Sequence, residues 1–305
     1  MAVTAVGAIP VICEVDETLT MCPEDVKKKL SPYTKALIPV HIQGFPCNMD
    51  ALCEIAREHN LYIVEDACQS DGGSYHGKRL GTIGDAGALS FNQYKIICCG
   101  EGGAMFAKER EVYNRALIYH DASAIAYLYG DGAFDDVDQK AFCGVEYRTN
   151  EVNAAILRQQ LLRLDGILED LRRNKKRIMD ALSDIYTFAP SNDIEGDCGI
   201  TLAIRFEDEA EAFAHTEGVF GGSPIHTGKH IYKNWTSILA CYGAYNPKMD
   251  PFKMKENEGR NFNYSPDMCP KTLDYLARTV YVGVNPDWTE EQIQERIRQL
   301  RAAKK

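Results

Sequence analysis

Short apolar runs alternate with helix-like segments along the first third of the chain. The runs predict strands at residues 9–16, 35–41, 61–65, 86–91 and 103–107. Between them, Pro23 opens one predicted helix, and Asn48 caps a second that runs to about residue 59. Strands that are apolar throughout and alternate with helices are typical of a largely parallel sheet covered on both faces. The first part of the chain is therefore predicted to be an α/β domain.

The second half of the chain follows a different pattern. Residues 150–182 carry apolar side chains at helical spacing and predict one long helix. Beyond it we expect a strand at residues 200–206, an acidic helix at residues 207–217 and an irregular glycine-rich segment at residues 218–229. A second strand is expected at residues 280–284. Thr289 begins a capping-box sequence that predicts a terminal helix to residue 303. The patterns together predict a large domain at residues 1–149, and a linking helix with a small α+β domain at residues 150–305.

Composition excludes several classes of protein. The 305 residues include 34 Lys and Arg against 44 Asp and Glu, a net charge of −10 that argues against nucleic acid or an anionic membrane as a partner. No apolar run reaches the roughly 18 residues that a membrane span needs. The 11 cysteines include no C-x-x-C pair, which favours reduced thiols in a cytoplasmic protein and no structural metal site.

Candidate chemistry gathers in residues 63–103. Asp66, Ser90 and His41 fall at the ends of predicted strands, where ligands of parallel sheets bind. Lys95 follows a strand and precedes several glycines, so desolvation could lower its pKa and make it an amine nucleophile. A reactive lysine, a carboxylate for a ring nitrogen and a serine for a phosphate are what pyridoxal phosphate needs. From these residues alone, Asp66 as a helix or turn cap and Lys95 as a solvated side chain remain alternatives.

Five motifs favour the cofactor-binding roles over these alternatives. They read Pro39-Val40-His41 with Gly44, Asn48-Met49-Asp50-Ala51, Glu65-Asp66-Ala67-Cys68-Gln69, Gly84-Asp85 with Ser90-Phe91 and Lys95, and Gly100-Glu101-Gly102-Gly103. In this order and spacing the chain resembles the DegT/DnrJ/EryC1/StrS family of pyridoxal-phosphate-dependent sugar aminotransferases, which have the type I fold. The resemblance continues through residues 146–151 and to Thr289.

The resemblance implies roles for particular residues. By position, Lys95 would be the Schiff-base lysine and proton carrier, and Asp66 would contact the pyridine nitrogen. Gln69 would contact the ring face or its 3′-oxygen, and Ser90 would bind the phosphate. Tyr147 and Arg148 would reach a neighbouring subunit's site. The implied reaction moves an amino group from glutamate or glutamine to a keto-sugar or keto-cyclitol. Lysine at position 95, where the dehydratase branch of the family lacks the Schiff-base lysine, favours transamination over dehydration.

The sequence also departs from the family pattern. Family members have about 80–100 further residues before the point that matches residue 1, and these supply a phosphate-binding helix N-terminus and an aromatic ring that stacks on the cofactor. The large domain is therefore expected to be incomplete. Three explanations stay open: a fragment, a split enzyme, or a regulatory or scaffolding paralogue. We accordingly expect a homo-oligomer, or a hetero-oligomer with a chain that supplies the segment.

Two further places bear on the site. Glu146 stands where the family usually has asparagine, and it would repel a phosphate unless it pairs with Arg148. In the C-terminal half, His226, His230 and Asn234 could contact a polyol or a donor carboxylate, with purely structural roles as the alternative. A metal held by the two histidines is disfavoured because Gly228 interrupts the helix that such a site needs.

Overall fold

The computed structural model describes residues 1–121, 142–216, 221–226, 228–260 and 262–304. Its strands are β1 Ala36–Leu37, β2 Tyr62–Asp66, β3 Ser74–Tyr75, β4 Lys78–Arg79, β5 Ala86–Ser90, β6 Gly103–Ala107, β7 Thr187–Phe188, β8 Thr201–Arg205 and β9 Thr279–Gly283. Its α-helices are α1 Ala2–Ala5, α2 Pro23–Lys29, α3 Met49–Glu58, α4 Arg110–His120, α5 Glu151–Leu182, α6 Glu209–Ala214, α7 Thr236–Leu239, α8 Pro270–Ala277 and α9 Glu290–Ala303. Short 3₁₀ turns occupy much of the segment between residues 224 and 257.

The first domain is built on a four-stranded sheet in the order β1-β2-β5-β6. Strands β1, β2 and β5 are parallel, and β6 runs antiparallel to β5. The predicted α/β class is confirmed. Asn48 caps α3 as expected, because its side chain accepts a hydrogen bond from the backbone N–H of Ala51 at 3.1 Å.

Only one face of this sheet is covered by the described part of the chain. Leu37 and Ile63 lie in a core that Leu52 and Ile55 of α3 complete. Helix α2 packs against α3 on the same side, so it adds nothing to the other face. On that other face Tyr62 is 66% exposed, and Val64 is exposed as well. The expectation of a sheet covered on both faces is therefore wrong within the described residues.

Residues 9–16 do not form the predicted strand. One isolated bridge, from Val15 to Met21, is the only strand-like pairing described there. The backbone groups of this segment bond to side chains instead: the hydroxyl of Tyr264 donates to the carbonyl of Pro10, and Lys29 Nζ donates to that of Ile12 at 2.8 Å. Pro10 also has no N–H to donate to a neighbouring strand.

The second domain packs a three-stranded antiparallel sheet, β7-β8-β9, against α5 and α9. The long helix is confirmed, and the Asn150 side chain caps it by accepting from the N–H of Asn153. The capping box at Thr289 is confirmed as well. The acidic helix is shorter than predicted, at Glu209–Ala214, and residues 217–220 lie outside the described part of the chain.

Helix α5 connects the two domains. Leu164 and Leu168 pack with Phe91 of the first domain, whereas Ile178 and Leu182 lie in the core of the second. A division near residue 149 stays a prediction. Among the described residues, no helix is long and apolar enough to cross a membrane.

Candidate active site

Strand register places Asp66 and Ser90 on the same, uncovered face of the first sheet. Asp66 ends β2 and pairs with Ala88 of β5, and Ser90 lies two residues beyond Ala88. Because side chains alternate between the two faces of a strand, positions 66, 88 and 90 share one face. Both polar residues stand at the carboxyl ends of parallel strands, where the sequence predicted a ligand site.

The Asp66 backbone and side chain are both held in place. Its N–H donates to the carbonyl of Pro39 at 2.8 Å, and its own carbonyl accepts from the N–H of His41 at 3.0 Å. One carboxylate oxygen, Oδ1, accepts from the N–H of Cys68 at 3.1 Å. Oδ1 of Asp66 therefore caps the turn, which is the alternative role that the sequence allowed. A role for the same carboxylate on a ring nitrogen stays a prediction.

Lys95 lies in the loop that joins β5 to β6. Two bonds at Phe91 close this loop, from its N–H to the carbonyl of Gly102 at 2.9 Å and from the N–H of Cys99 to its carbonyl at 3.0 Å. The Lys95 side chain is half-buried, and its ammonium makes no hydrogen bond or ion pair within the described residues. The amine is therefore available for a ligand at the end of β5.

Gln69 is oriented by a second loop. Its side-chain oxygen accepts from the backbone N–H of Gln43 at 2.8 Å, and Gln43 has a positive φ of 52°. The Gln43 side chain in turn accepts from the hydroxyl of Thr201 on β8 at 2.8 Å. This chain of contacts connects the turn after Asp66 to the sheet of the second domain.

Glu65 and His41 form a buried pair on the opposite, covered face. His41 Nε2 donates to Glu65 Oε2 at 3.0 Å, and Nδ1 accepts from the N–H of Cys47 at 3.0 Å. His41 is 0% exposed and both ring nitrogens have partners, so in this structure it cannot contact a substrate. The expectation that His41 is a substrate residue is corrected accordingly: it supports the carboxyl ends of β1 and β2 from below.

The Glu65 carboxylate also holds the loop before β5. It accepts from the N–H groups of Gly81, Ile83 and Gly84 at 2.6–2.8 Å. Burial alone would raise the pKa of Glu65, but the hydrogen bonds from His41, Gly84 and Gly81 hold it below its ordinary value. Sequence reasoning assigned this residue no role, although its place in the Glu65-Asp66 motif was a signal for one.

Glu65→Gln is expected to lower the free energy of unfolding by about 2–4 kcal/mol near neutral pH. The NH₂ group of the new amide would face backbone N–H groups that now donate to the carboxylate, and two donors cannot bond to each other. Since the pKa of Glu65 is depressed, the loss is present above the unfolded value of 4.5 and fades as the pH falls through the folded value. Urea unfolding at several pH values measures it. Glu54→Gln, an exposed change on α3, is the matched control. A pH-independent difference would contradict this account.

The segment around Tyr147 makes its own ion pairs. Arg148 Nε donates to Glu146 at 3.0 Å and lies 3.2 Å from Asp121, so Glu146 is paired with Arg148. Tyr147 is 70% exposed, with its ring 6.1 Å from that of Tyr119. None of these contacts involves Lys95. The cross-subunit role of Tyr147 and Arg148 stays a prediction.

The C-terminal candidates are all exposed. The His226 ring lies 6.1 Å from that of Phe213, and Asn234 Nδ2 donates to the carbonyl of Gly228 at 2.9 Å. Such contacts lie within the second domain, and substrate contact by His226, His230 and Asn234 stays a prediction. Among the residues that the structure describes, no cluster of His, Cys, Asp and Glu could hold a metal ion.

The fold and the comparisons define the class of protein. The α/β sheet and helices of this chain have the type I fold of pyridoxal-phosphate-dependent transferases. The chain belongs to the DegT/DnrJ/EryC1/StrS aminotransferase family, whose model matches residues 1–217.

Three similar proteins illustrate this. The dTDP-3-amino-3,4,6-trideoxy-alpha-D-glucose transaminase of Streptomyces venezuelae is 39% identical over 168 residues, 54% of this chain and 42% of that protein. The structure of S. venezuelae DesV in complex with a ketimine intermediate superposes with a TM-score of 0.73 at 25% identity, over 100% of this chain and 75% of that one. The E. coli GDP-4-keto-6-deoxy-D-mannose-3-dehydratase with bound hydrated PLP superposes with a TM-score of 0.74 at 20% identity, over 96% and 73%, and shows the fold alone. Matches to the first curated relatives span 42–73% of their length.

Proposed function

We propose that this chain carries the cofactor-binding and catalytic residues of a pyridoxal-phosphate-dependent aminotransferase. The proposed reaction moves an amino group from glutamate or glutamine to a keto-sugar or keto-cyclitol. The observation that carries the proposal is the Lys95 amine, which makes no hydrogen bond or ion pair within the described residues and lies in the loop that follows Ser90 on β5. Ser90 shares a face of the sheet with Asp66. Family membership and the sugar transaminase relative support it.

The residues present fit the cofactor. Lys95 would hold it through its amine, Asp66 would face the ring nitrogen, Ser90 would bind the phosphate, and Gln69 would lie against the ring. When bound, pyridoxal phosphate supplies a carbonyl carbon for amines and an electron sink for the carbon that loses a proton. The donor set suits this group because it combines a free amine, an anchored carboxylate and a strand-end hydroxyl.

The chain's own residues then have separate tasks. Lys95 Nζ would be the nucleophile that holds the cofactor, and it would also move a proton between the reacting carbons. Asp66 would keep a ring nitrogen protonated, while the hydrogen bond that its Oδ1 accepts from the N–H of Cys68 fixes the side chain. The Glu65–His41 pair below the sheet keeps the ends of β1 and β2 together.

Product analysis tests the function against its alternatives. The chain, in the assembly in which it is isolated, is incubated with pyridoxal phosphate, isotopically labelled glutamate or glutamine, and a nucleotide-linked keto-sugar. The proposal expects the label in an amino-sugar product. A deoxy-keto product would favour the dehydratase, with which this fold also superposes. No turnover with any keto-sugar would favour the regulatory or scaffolding role.

We further propose that another polypeptide covers the open face of the first sheet. Ile38, Val40, Tyr62 and Val64 form an exposed apolar surface that continues to Asp66 and Ser90. A cofactor on this face would need that cover to be shielded from water. The covering chain is either a second copy of this chain or a different chain.

Such a surface is expected to make the isolated chain self-associate. Multi-angle light scattering on the purified chain should give a mass at least twice 34.1 kDa, or aggregates that shrink when the covering chain is co-expressed. Tyr62→Lys and Val64→Lys together should shift the mass towards the monomer. A stable wild-type monomer over a wide concentration range would contradict the proposal.

A further inference from the structure

The turn of residues 43–45 holds a glutamine in a conformation that suits glycine. Gln43 has a positive φ of 52°, and Gly44 follows with a positive φ of 80°. Glycine adopts such left-handed backbone angles at little cost, whereas a residue with a side chain is strained there. A strained residue of this kind persists only where its surroundings hold it. The contacts of Gln43 therefore decide what the turn is for.

Gln43 forms hydrogen bonds in two directions. Its backbone N–H donates to the side-chain oxygen of Gln69 at 2.8 Å. Its side-chain oxygen accepts from the hydroxyl of Thr201, on β8 of the second domain, at 2.8 Å. A glycine at position 43 would relieve the strain but could make only the first of these bonds. The glutamine side chain is what connects Gln69 to the second domain.

The bond from Gln43 also fixes the orientation of the Gln69 amide. A backbone N–H can only donate, so the Gln69 atom that faces it is the oxygen Oε1 and not the nitrogen Nε2. Gln69 is half-buried three residues after Asp66, and in the described part of the chain no group accepts a hydrogen bond from Nε2. The two donors on Nε2 are therefore free for a ligand beyond the carboxyl end of β2.

A buried ion pair holds the other end of the turn. Lys175 Nζ, on α5, lies 2.7 Å from Asp197 Oδ2 and 4.9 Å from the centre of the Phe45 ring. The N–H of Cys198, the residue after this aspartate, donates to the carbonyl of Gly44 at 3.1 Å. A Cβ on Gly44 would come within 2.7 Å of the Cys198 Cβ, so the two segments are in direct contact. The second domain thus grips the turn at each of its three residues.

Stability alone does not account for charges at this place. Lys175 is 7% exposed and Asp197 is 1% exposed. Removing two charges from water costs about as much free energy as their attraction returns, so well-packed apolar side chains would hold the turn equally well. The best-attested use of a buried polar group is to fix one register between packed elements. Here the elements are α5, the segment before β8 and the 43–45 turn.

We infer that the second domain positions Gln69 through the 43–45 turn. Thr201 and the buried ion pair hold the turn in its left-handed conformation, and the N–H of Gln43 then orients the Gln69 amide so that Nε2 is presented to the ligand. These are positioning residues, since they act through Gln69. That the ligand is the cofactor rests on the proposed function, but the positioning itself needs no cofactor.

Hydrogen exchange of the cofactor-free chain tests the role of Thr201. The rate at the Gln43 N–H is read by mass spectrometry, with fragmentation of the peptide that spans residues 39–47. Thr201→Val retains the side-chain shape and should raise this rate about tenfold or more, because the turn loses one of the contacts that keep it closed. Gln69→Leu removes the acceptor itself and should raise the rate at least as much. Thr201→Ser retains the hydroxyl and should exchange like the wild type.

A second variant tests the ion pair. Lys175→Met combined with Asp197→Asn removes both charges together, so no lone charge stays buried. The asparagine oxygen can still accept from the N–H of Gly199, which now donates to Asp197 Oδ1 at 2.6 Å. The double variant should also raise the rate at the Gln43 N–H. Thr187→Val, at an exposed threonine of β7 in the same sheet, is the matched control and should change nothing.

A purely structural role predicts a different pattern. It would lower the unfolding temperature of Thr201→Val and speed exchange along all of β8, with the affinity for pyridoxal phosphate unchanged. Positioning instead confines the faster exchange to residues 41–47 and weakens cofactor binding, measured by equilibrium dialysis, by about three- to thirtyfold. The structural pattern, or an unchanged Gln43 rate in either variant, overturns the proposal. Faster Gln43 exchange in a chain without transaminase activity would contradict the proposed function alone.

Discussion

Lys95→Ala is expected to abolish amino-group transfer, with kcat lower by about 10⁴-fold or more. The variant loses the amine that would both hold the cofactor and carry the substrate proton. Lys95 makes no hydrogen bond or ion pair in the described part of the chain, so its removal should leave the fold intact. Formation of labelled amino-sugar, with thermal unfolding measured in parallel, tests this.

Two results would decide the assignment of Lys95. Lys78→Ala removes an exposed lysine and should retain full turnover, so it controls for the general effect of losing a positive charge. Transamination that persists in Lys95→Ala at more than about a hundredth of the wild-type rate would show that another residue moves the proton.

Asp66→Asn should reduce turnover by about 10²–10⁴-fold and leave stability nearly unchanged. An asparagine oxygen can still accept from the N–H of Cys68, so the turn is retained. What the variant loses is the negative charge that would keep a ring nitrogen protonated. Comparison with Asp66→Ala separates the two roles, because alanine loses the hydrogen bond as well and should also lower the unfolding temperature.

The outcome that contradicts this role is specific. If Asp66→Asn turns over like the wild type while Asp66→Ala is inactive and unstable, Asp66 is a turn cap only. Glu54→Gln, at an exposed carboxylate of α3, is the matched control and should change neither property.

Features that depend on local sequence were predicted well. The Asn48 cap, the Thr289 capping box and the long helix α5 follow from residues within one or two turns of each other. Strands β5 and β6 were also located to within one residue. The hairpin of β3 and β4 was missed, although the dipeptide His76-Gly77, with positive φ at both residues, was a usable signal.

Features that depend on distant partners were not predicted. An apolar run such as residues 9–16 becomes a strand only if another strand lies beside it, and here side chains bond to its backbone instead. The same limit applies to the open face of the sheet. Tyr62 and Val64 belong to an apolar run, but nothing in that run shows which side a helix will cover.

The residues of the candidate site also differ in whether local sequence or distant partners determine their environment. Asp66, Ser90 and Lys95 can be predicted as site residues from the sequence because strand ends and family motifs mark them, and their roles stay predictions. His41 was misassigned because a histidine at a strand end looks the same in sequence whether it is buried on Glu65 or exposed.

Borohydride trapping is the most direct test of the central claim, that this chain's own residues organise a pyridoxal phosphate site at Lys95. The purified chain is mixed with pyridoxal phosphate and reduced, and the modified peptides are mapped by mass spectrometry, with Lys95→Ala as the control. The account predicts label confined to Lys95 and its loss in the variant. Label that is absent, or spread over many lysines, would contradict it.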